Sequence, residues 1–495
     1  MPILSSSAAA WWPRMTSRAA REYPFVPRVI NPVKIERAVF FAADSRIRDS
    51  RKTLEEKMPW IRTEVVYDPQ SALAVSSERP SVFLFDDTGL ALLDIGQVRA
   101  KNQSAALVLL SYQPFIQCAP PQAAREKYPY AARADLVFAV DRSALLPETI
   151  ILSAVRAAED KLNIERHSDL KRFIFHIVDD EPRWFSQFLP VLYAIIGQRA
   201  DVMITRTYEE SIRFLFGEGR GGQVRAGGPG RKASGHGDDV VCLITDIFFP
   251  KGDDLQSDAG RELIRMVNSR YPRIPVIIAS KAKEALKMSG LGFVLPKGDP
   301  GSLQKLKEYI LNFAGLGDFL LYDEEGRELR RARNIREICG ILLDAEKDSE
   351  EGRRLRLHLE AYGEKDKFST WLYMHSYREL GDRLRPRRSQ GKQLITLLKR
   401  HLQLEMARMQ RTPLSLAGAK AFDLAGLLAA LRAQAPEAIQ PFSDNDIISS
   451  WLDRRGYPEL AEELRPVHGS GPELKKVVTD IVAKWLEVYR GRREA

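Results

Sequence analysis

Short apolar runs rich in β-branched and aromatic residues recur through residues 36–165: AVFFAAD, TEVVYD, SVFLFDD, ALVLLS and ADLVFAVD. Between them lie stretches with helical spacing, such as IRDSRKTLEEKM and PETIILSAVRAAEDKL. Strand-sized runs alternating with helices predict a parallel sheet covered on both faces. Residues 171–316 repeat the pattern, with strands in FIFHIVD, DVMITRT, DVVCLITDIF, VIIAS and FVLPK. Helices are expected near 184–197, 208–216, 259–271 and 302–314. The first carries Phe185, Phe188, Leu189, Leu192, Ile195 and Ile196 as one apolar stripe. Two five-stranded α/β domains are thus expected in tandem, joined through a helix at about 147–166.

The rhythm breaks in two places. GEGRGGQVRAGGPGRKASGHG, residues 217–237, has nine glycines in 21 residues and lacks the spacing of a phosphate-binding loop. It reads as a surface insert in the second domain. Beyond residue 317 the strands give way to a hairpin in FLLYDEEGRELRRA and then to helices. This region contains an internal repeat. STWLYMHSYRELGDRLRP (369–386) matches SSWLDRRGYPELAEELRP (449–466) at a constant offset of 80, with Trp371/Trp451, Tyr377/Tyr457 and Leu384/Leu464 among the coincident positions. Two copies of a small unit, 317–410 and 411–495, are expected, their shared residues serving packing.

Composition narrows the class. Hydrophobic residues make up 44% and charged residues 28% of the 495-residue chain, as in ordinary soluble proteins. No apolar run reaches the length of a membrane span. Cys118, Cys242 and Cys339 are too few and scattered for a disulfide framework or cysteine metal site, which suits a cytoplasmic protein. The net charge of +9 is a small excess on this length. No helix of the repeats concentrates groove-reading side chains, so nucleic-acid binding is the least supported reading. Residues 1–35 are expected to form a disordered extension, with Met15 an alternative start.

Chemistry collects where the second domain's strands end, the edge at which parallel sheets bind ligands. Those ends carry Asp179 and Asp180, then Asp246, Ser280 and Lys297. A single aspartate after a strand is commonly a helix cap. An acid pair, an acid, a hydroxyl and an amine in successive positions point instead to a shared site.

This set resembles the receiver domain of bacterial response regulators. The resemblance implies two tandem flavodoxin-like, doubly wound parallel sheets followed by a mainly helical duplicated region. It implies that Asp246 accepts a phosphoryl group. Asp179, Asp180, Asp246 and the backbone carbonyl of Phe248 would hold Mg²⁺, while Ser280 and Lys297 would bind the phosphoryl oxygens. A signalling protein of a two-component phosphorelay, not an enzyme, is expected. It would be phosphorylated by a histidine kinase or small phosphodonor and would bind an output partner through the helical repeats. The alternative is an unphosphorylated scaffold or oligomerisation protein.

The pattern departs from that family in three ways. Gly298 rather than proline follows the lysine, Val294 stands where an aromatic is usual, and the segment before the last strand is short. The first domain resembles a degenerate copy, a pseudo-receiver used for packing or homodimerisation. There Asp44 is a lone acid, Asp86 and Ser111 match the acceptor and hydroxyl, and Val140, Asp141 and Arg142 surround the lysine position. Segments of 172–390 are also similar to the regulatory region of some bacterial phosphoenolpyruvate synthase-like phosphotransferases, which implies a partner enzyme acted on in trans.

Overall fold

The computed structural model describes residues 25–494 except Ile30, Ser77, 141–146, 167–172, 218–234, Asp253, Ser257, 282–289 and 386–390. Most of the glycine-rich insert, the short segment before the last strand of the second domain, and Asp141 and Arg142 therefore lie outside the described residues. The chain forms two compact units that divide between Tyr309 and Ile310.

The first unit holds both α/β domains. In the first, β1 (Arg37–Phe41), β2 (Arg62–Val65), β3 (Ser81–Asp86), β4 (Ala105–Ser111) and β5 (Leu136–Ala139) pair in parallel in the order β2-β1-β3-β4-β5. Their connections are α1 (Ser45–Asp49), α2 (Arg51–Lys57), α3 (Pro69–Ala74), α4 (Asp87–Leu92), α5 (Ile95–Lys101), α6 (Pro114–Cys118) and α7 (Pro121–Lys127). Every residue of β3 and β4 is buried, the mark of a strand covered on both faces.

The long α8 (Pro147–Arg166) leads to the second domain. There β6 (Ile174–Val178), β7 (Asp201–Thr205), β8 (Val240–Thr245), β11 (Val276–Ser280) and β12 (Phe293–Pro296) form a parallel sheet in the order β12-β11-β8-β6-β7. The two sheets share one flavodoxin-like strand order. The connecting helices are α9 (Pro182–Ile196), α10 (Tyr208–Phe216) and α11 (Ala259–Arg270), with α12 (Ser302–Phe313) last. A small antiparallel hairpin, β9 (Phe249–Lys251) with β10 (Asp254–Gln256), follows the central strand; the alternation of apolar runs gave no sign of it.

The expected disorder of residues 1–35 does not extend to 25–35. Val26, Val33 and Ile35 are buried, and α8 and β7 supply polar partners that hold this strap. The Glu159 carboxylate accepts from the backbone N–H of Ile35 at 2.7 Å and the Asn31 amide at 2.8 Å. Asn163 exchanges hydrogen bonds with the Val33 backbone at 2.9 and 2.7 Å. Arg28 pairs with Asp201 and lies 3.7 Å from Asp160. Residues 1–24 lie outside the described residues. A strap satisfied by side chains 124 to 173 residues away leaves no local sequence signal.

The second unit is helical apart from two hairpins, and each repeat copy begins with one. Copy one runs from β13 (Phe319–Tyr322) and β14 (Glu328–Ala332) through α13 (Ile335–Glu346), α14 (Glu350–Glu364), α15 (Lys367–Met374), α16 (Arg378–Leu384) and α17 (Gly391–Arg411). Copy two runs from β15 (Leu414–Leu416) and β16 (Ala419–Ala421) through α18 (Leu424–Ala433), α19 (Pro436–Asp444), α20 (Ile447–Arg454), α21 (Pro458–Leu464) and α22 (Gly471–Glu494). The second hairpin was not expected, because its strands are three residues long and its turn is Ala417-Gly418. The matched residues pack as expected. Trp371, Leu372, Leu380 and Leu384 lie in one core, and Trp451, Leu452, Leu460 and Leu464 in another.

Candidate functional site

The order of the second sheet brings the ends of β6, β8, β11 and β12 to one edge. β6 and β8 are neighbours in register, Val178 facing Thr245, so Asp179 and Asp246 leave the sheet side by side. The N–H of Asp246 donates to the carbonyl of Val178 at 2.9 Å, and that of Asp179 to Thr205 at 3.1 Å. Across the sheet, the N–H of Lys297 donates to the carbonyl of Ser280 at 3.1 Å. Asp179, Asp180, Asp246, Ser280 and Lys297 are all buried.

The Lys297 ammonium lies 2.6 Å from Asp179 and also bonds the Asp246 carboxylate, with its side chain wholly buried. Carboxylate oxygens of Asp179, Asp180 and Asp246 lie within 4.8 Å of one another. Among the described residues this is the sole group of His, Cys, Asp or Glu with metal-ligand spacing. Three acids share one ammonium, so charge is not balanced. Burial pushes Asp179 up to about 8, against the pull of Lys297, and Asp180 up to about 7. Burial also disfavours a charged Lys297, but Asp179 and Asp246 outweigh it and raise the amine above its ordinary value.

None of these acids occupies the N-cap position of a helix, although Asp179 accepts from the Glu181 N–H at 3.1 Å just ahead of α9. The residue that caps α9 is Glu181, without a side-chain capping bond, and Asp246 precedes a hairpin. Gly260, in the first turn of α11, holds the acceptor loop close. A Cβ there would stand 2.4 Å from the Asp246 carbonyl and 2.6 Å from the Ile247 Cα.

The first domain provides the contrast. In its sheet Phe41 faces Phe85, so by register Ala42 and Ala43 occupy the positions of Asp179 and Asp180, and Asp86 that of Asp246. Asp44, which the sequence suggested as the remnant of the pair, corresponds to Glu181 instead. It caps α1 through the Arg46 N–H at 2.8 Å and pairs with the Arg46 guanidinium at 2.9 Å. Asp86 caps α4 through Gly89 N–H at 2.7 Å, and Ser111 donates to Asp87 at 2.7 Å. The N–H of Val140 meets the Ser111 carbonyl at 3.0 Å, as that of Lys297 meets Ser280. Val140 is therefore the residue at the lysine position.

Sequence reasoning missed a second layer around the acids. The Arg206 guanidinium donates to the Asp180 carbonyl at 2.7 Å, fixing the backbone between the paired acids and α9. Glu181 accepts from the Trp184 indole at 2.7 Å and from Arg183 at 2.6 Å, and Lys281 lies 3.2 Å away. Arg183 and Lys281 each stand 4.8 Å from the centre of the Trp184 ring, and Lys297 stands at 5.6 Å. Gly298 adopts φ +86°, and a Cβ there would lie 3.5 Å from the indole edge. Proline, locked near φ −65°, cannot take that conformation, which accounts for the glycine after Lys297. The one available signal was adjacency: Glu181 follows the acid pair and Lys281 follows Ser280. Val294 packs against the core of the sheet, and Phe293 meets Tyr309 at a tilt with ring centres 5.4 Å apart.

No protein-family model matches the chain, and no curated protein matches it. Among solved structures, one described as a putative two-component system response regulator/GGDEF domain protein aligns at 14% identity and a TM-score of 0.24, covering 56% of this chain and 98% of that one. Another, described as a probable two-component system response regulator/GGDEF domain protein, aligns at 14% identity and 0.23, covering 55% and 97%. At this level the likeness transfers no property to the chain.

Proposed function

We propose that this protein is a response-regulator-like signalling protein whose second α/β domain accepts a phosphoryl group on Asp246. The observation that supports this most is the gathering of the carboxylates of Asp179, Asp180 and Asp246 at one buried edge, two of them, Asp179 and Asp246, bonded to the buried Lys297 ammonium. A purely structural edge gains nothing from three desolvated carboxylates, each costly to bury. The first domain offers the contrast: alanines stand in place of the pair, valine in place of the lysine, and Asp44 and Asp86 cap helices.

The donor set suits Mg²⁺, an oxygen-seeking ion that takes few carboxylates and keeps several waters. Asp179, Asp180, Asp246 and the Phe248 carbonyl would hold it, and bound there it would offset charge on the transferring phosphoryl oxygens. The chain's own groups do the rest. Asp246 presents a carboxylate oxygen at the sheet edge as nucleophile. Lys297, already bonded to Asp246, neutralises charge on the acceptor side. Ser280, at the end of β11, would donate a hydrogen bond to a phosphoryl oxygen. Phosphorylation then changes the charge and hydrogen bonding at this sheet edge, and the helical repeats carry the output to a protein partner.

The test is incorporation of phosphate from acetyl phosphate in the presence of Mg²⁺. Wild-type protein is labelled, and Asp246→Ala is not. Labelling that persists in Asp246→Ala overturns the acceptor assignment; no labelling of wild type leaves the fold as a scaffold.

A further inference from the structure

We infer that the cleft between the two repeat copies is a docking groove for an acidic, amphipathic helix of a partner protein. This rests on the reading of the helical repeats as the output region, and it specifies the surface and the chemistry that recognises the partner.

The copies meet along a polar seam. His375 Nδ1 lies 3.1 Å from Asp453, the Ser376 hydroxyl lies 3.2 Å from that of Ser450, and the Tyr377 hydroxyl donates to the Arg454 carbonyl at 2.7 Å. A groove of about 740 Å³ is left between them. Copy one lines it with the start of α13 and the C-terminal half of α17, copy two with Phe422, Asp423 and the turn between α20 and α21. Its walls are tied together by Arg455. That guanidinium stands 4.4 Å from the centre of the Trp451 ring and donates to the carbonyls of Met409 and Phe422 at 2.6 Å and of Thr412 at 2.8 Å. A groove held open in advance spends little of a ligand's binding energy on ordering itself.

The lining is apolar and cationic at once. Met406, Met409 and Phe422 supply apolar surface, and Phe422 is 52% exposed. Methionine adapts its shape to varied partners, and an exposed aromatic ring in a groove suits the apolar anchors of a bound helix. The charged residues of the lining are Arg336, Arg454, Arg455 and Asp423. Asp423 is engaged in capping α18 through the Gly426 N–H at 2.7 Å. The Arg454 guanidinium donates to the Ser450 carbonyl at 3.2 Å, and among the described residues neither it nor Arg336 is ion-paired. Glu379, the acid whose field reaches Arg454, is bonded to Arg408 instead.

The repeat itself does not require a cation at Arg454. At the offset of 80 its counterpart is Met374, which is fully buried. Arginines beside apolar side chains match a helix that carries Asp or Glu next to its apolar anchors. A phosphate-rich ligand such as RNA would want converging guanidinium groups, and Arg455 is already spent on three carbonyls.

The experiment pans the full chain against a displayed library of random peptides of about 16 residues, some four helical turns. Selected peptides are then titrated by fluorescence anisotropy. The enriched peptides carry net negative charge with apolar residues at i, i+3 and i+4 spacing, and added salt weakens them. Arg336→Gln/Arg454→Gln lowers their affinity about tenfold, and Phe422→Ser does the same, with the urea midpoint unchanged. Arg336→Lys/Arg454→Lys, which keeps both charges, retains most of the affinity. No enrichment, peptides without acidic bias, or affinity indifferent to these substitutions overturns the groove. So does a single-stranded RNA oligonucleotide that binds more tightly and displaces the peptides. The titrations are repeated after treatment with acetyl phosphate and Mg²⁺. Groove binding that ignores this treatment leaves the groove standing and overturns its part in signalling, so the two failures are distinct.

Discussion

The Lys297 ammonium lies 2.6 Å from Asp179 Oδ2 in a site where the lysine side chain has no exposure to solvent. Above about pH 8, where Asp179 is ionised, two charges at that distance and depth depend on each other, and removing one strands the other. Lys297→Met therefore destabilises the protein by about 3–5 kcal/mol in chelator. Millimolar Mg²⁺ returns part of the loss, because a cation in the acid cluster replaces the missing ammonium. Urea unfolding with and without Mg²⁺ measures both effects; a variant as stable as wild type in chelator contradicts the pairing.

Protonation gives a second prediction. Burial raises Asp179 to about 8 and Asp180 to about 7 from an ordinary 3.8. Between pH 4 and 8 the folded, metal-free protein thus holds protons that the unfolded chain has released. Its stability falls as pH rises through this window. Mg²⁺ must displace the same protons, so its apparent affinity rises from pH 6 to 8 and levels off above. Calorimetric titration in two buffers of different ionisation heat would show proton release on binding near pH 7. Affinity independent of pH over this range contradicts the assignment.

Asp180 separates stability from chemistry. Its carboxylate is buried beside other acids, and among the described residues no ammonium touches it as Lys297 touches Asp179. Asp180→Asn is expected to stabilise the metal-free protein at pH 8 by on the order of 2 kcal/mol. The same change weakens Mg²⁺ binding, since a neutral amide replaces a charged ligand. Thermal melts with chelator and with Mg²⁺ should therefore move in opposite directions.

The strands of both sheets and most helices of the first unit were legible because their apolar runs are short, regular and separated by polar helices. The acid site was legible because parallel topology places strand ends together, however far apart they lie in sequence. Asp44 shows the limit. It follows an apolar strand as Asp179 does, but only the pairing of Phe41 with Phe85 reveals that it stands one place beyond the acid pair, at the cap. The strap at 25–35 and the cations around Trp184 escaped for the same reason. Each is defined by partners distant in the chain, such as Lys281 and Glu181, one hundred residues apart.

Gly298 offers a test of that second layer. Its φ of +86° lies in the left-handed region, and the Trp184 ring covers it. Gly298→Ala costs about 1–2 kcal/mol, and Gly298→Pro, which cannot adopt the angle, costs more. If the two variants unfold at the wild-type denaturant concentration, the backbone there is not as described.

The central claim is that Asp246 is the acceptor, and it can be read at a single residue. Protein treated with acetyl phosphate and Mg²⁺ is reduced with borohydride, which converts an aspartyl phosphate to homoserine, and its peptides are mapped by mass spectrometry. The account predicts homoserine at position 246, dependent on Mg²⁺ and absent after chelation. Homoserine at Asp86, or at no aspartate, would contradict it.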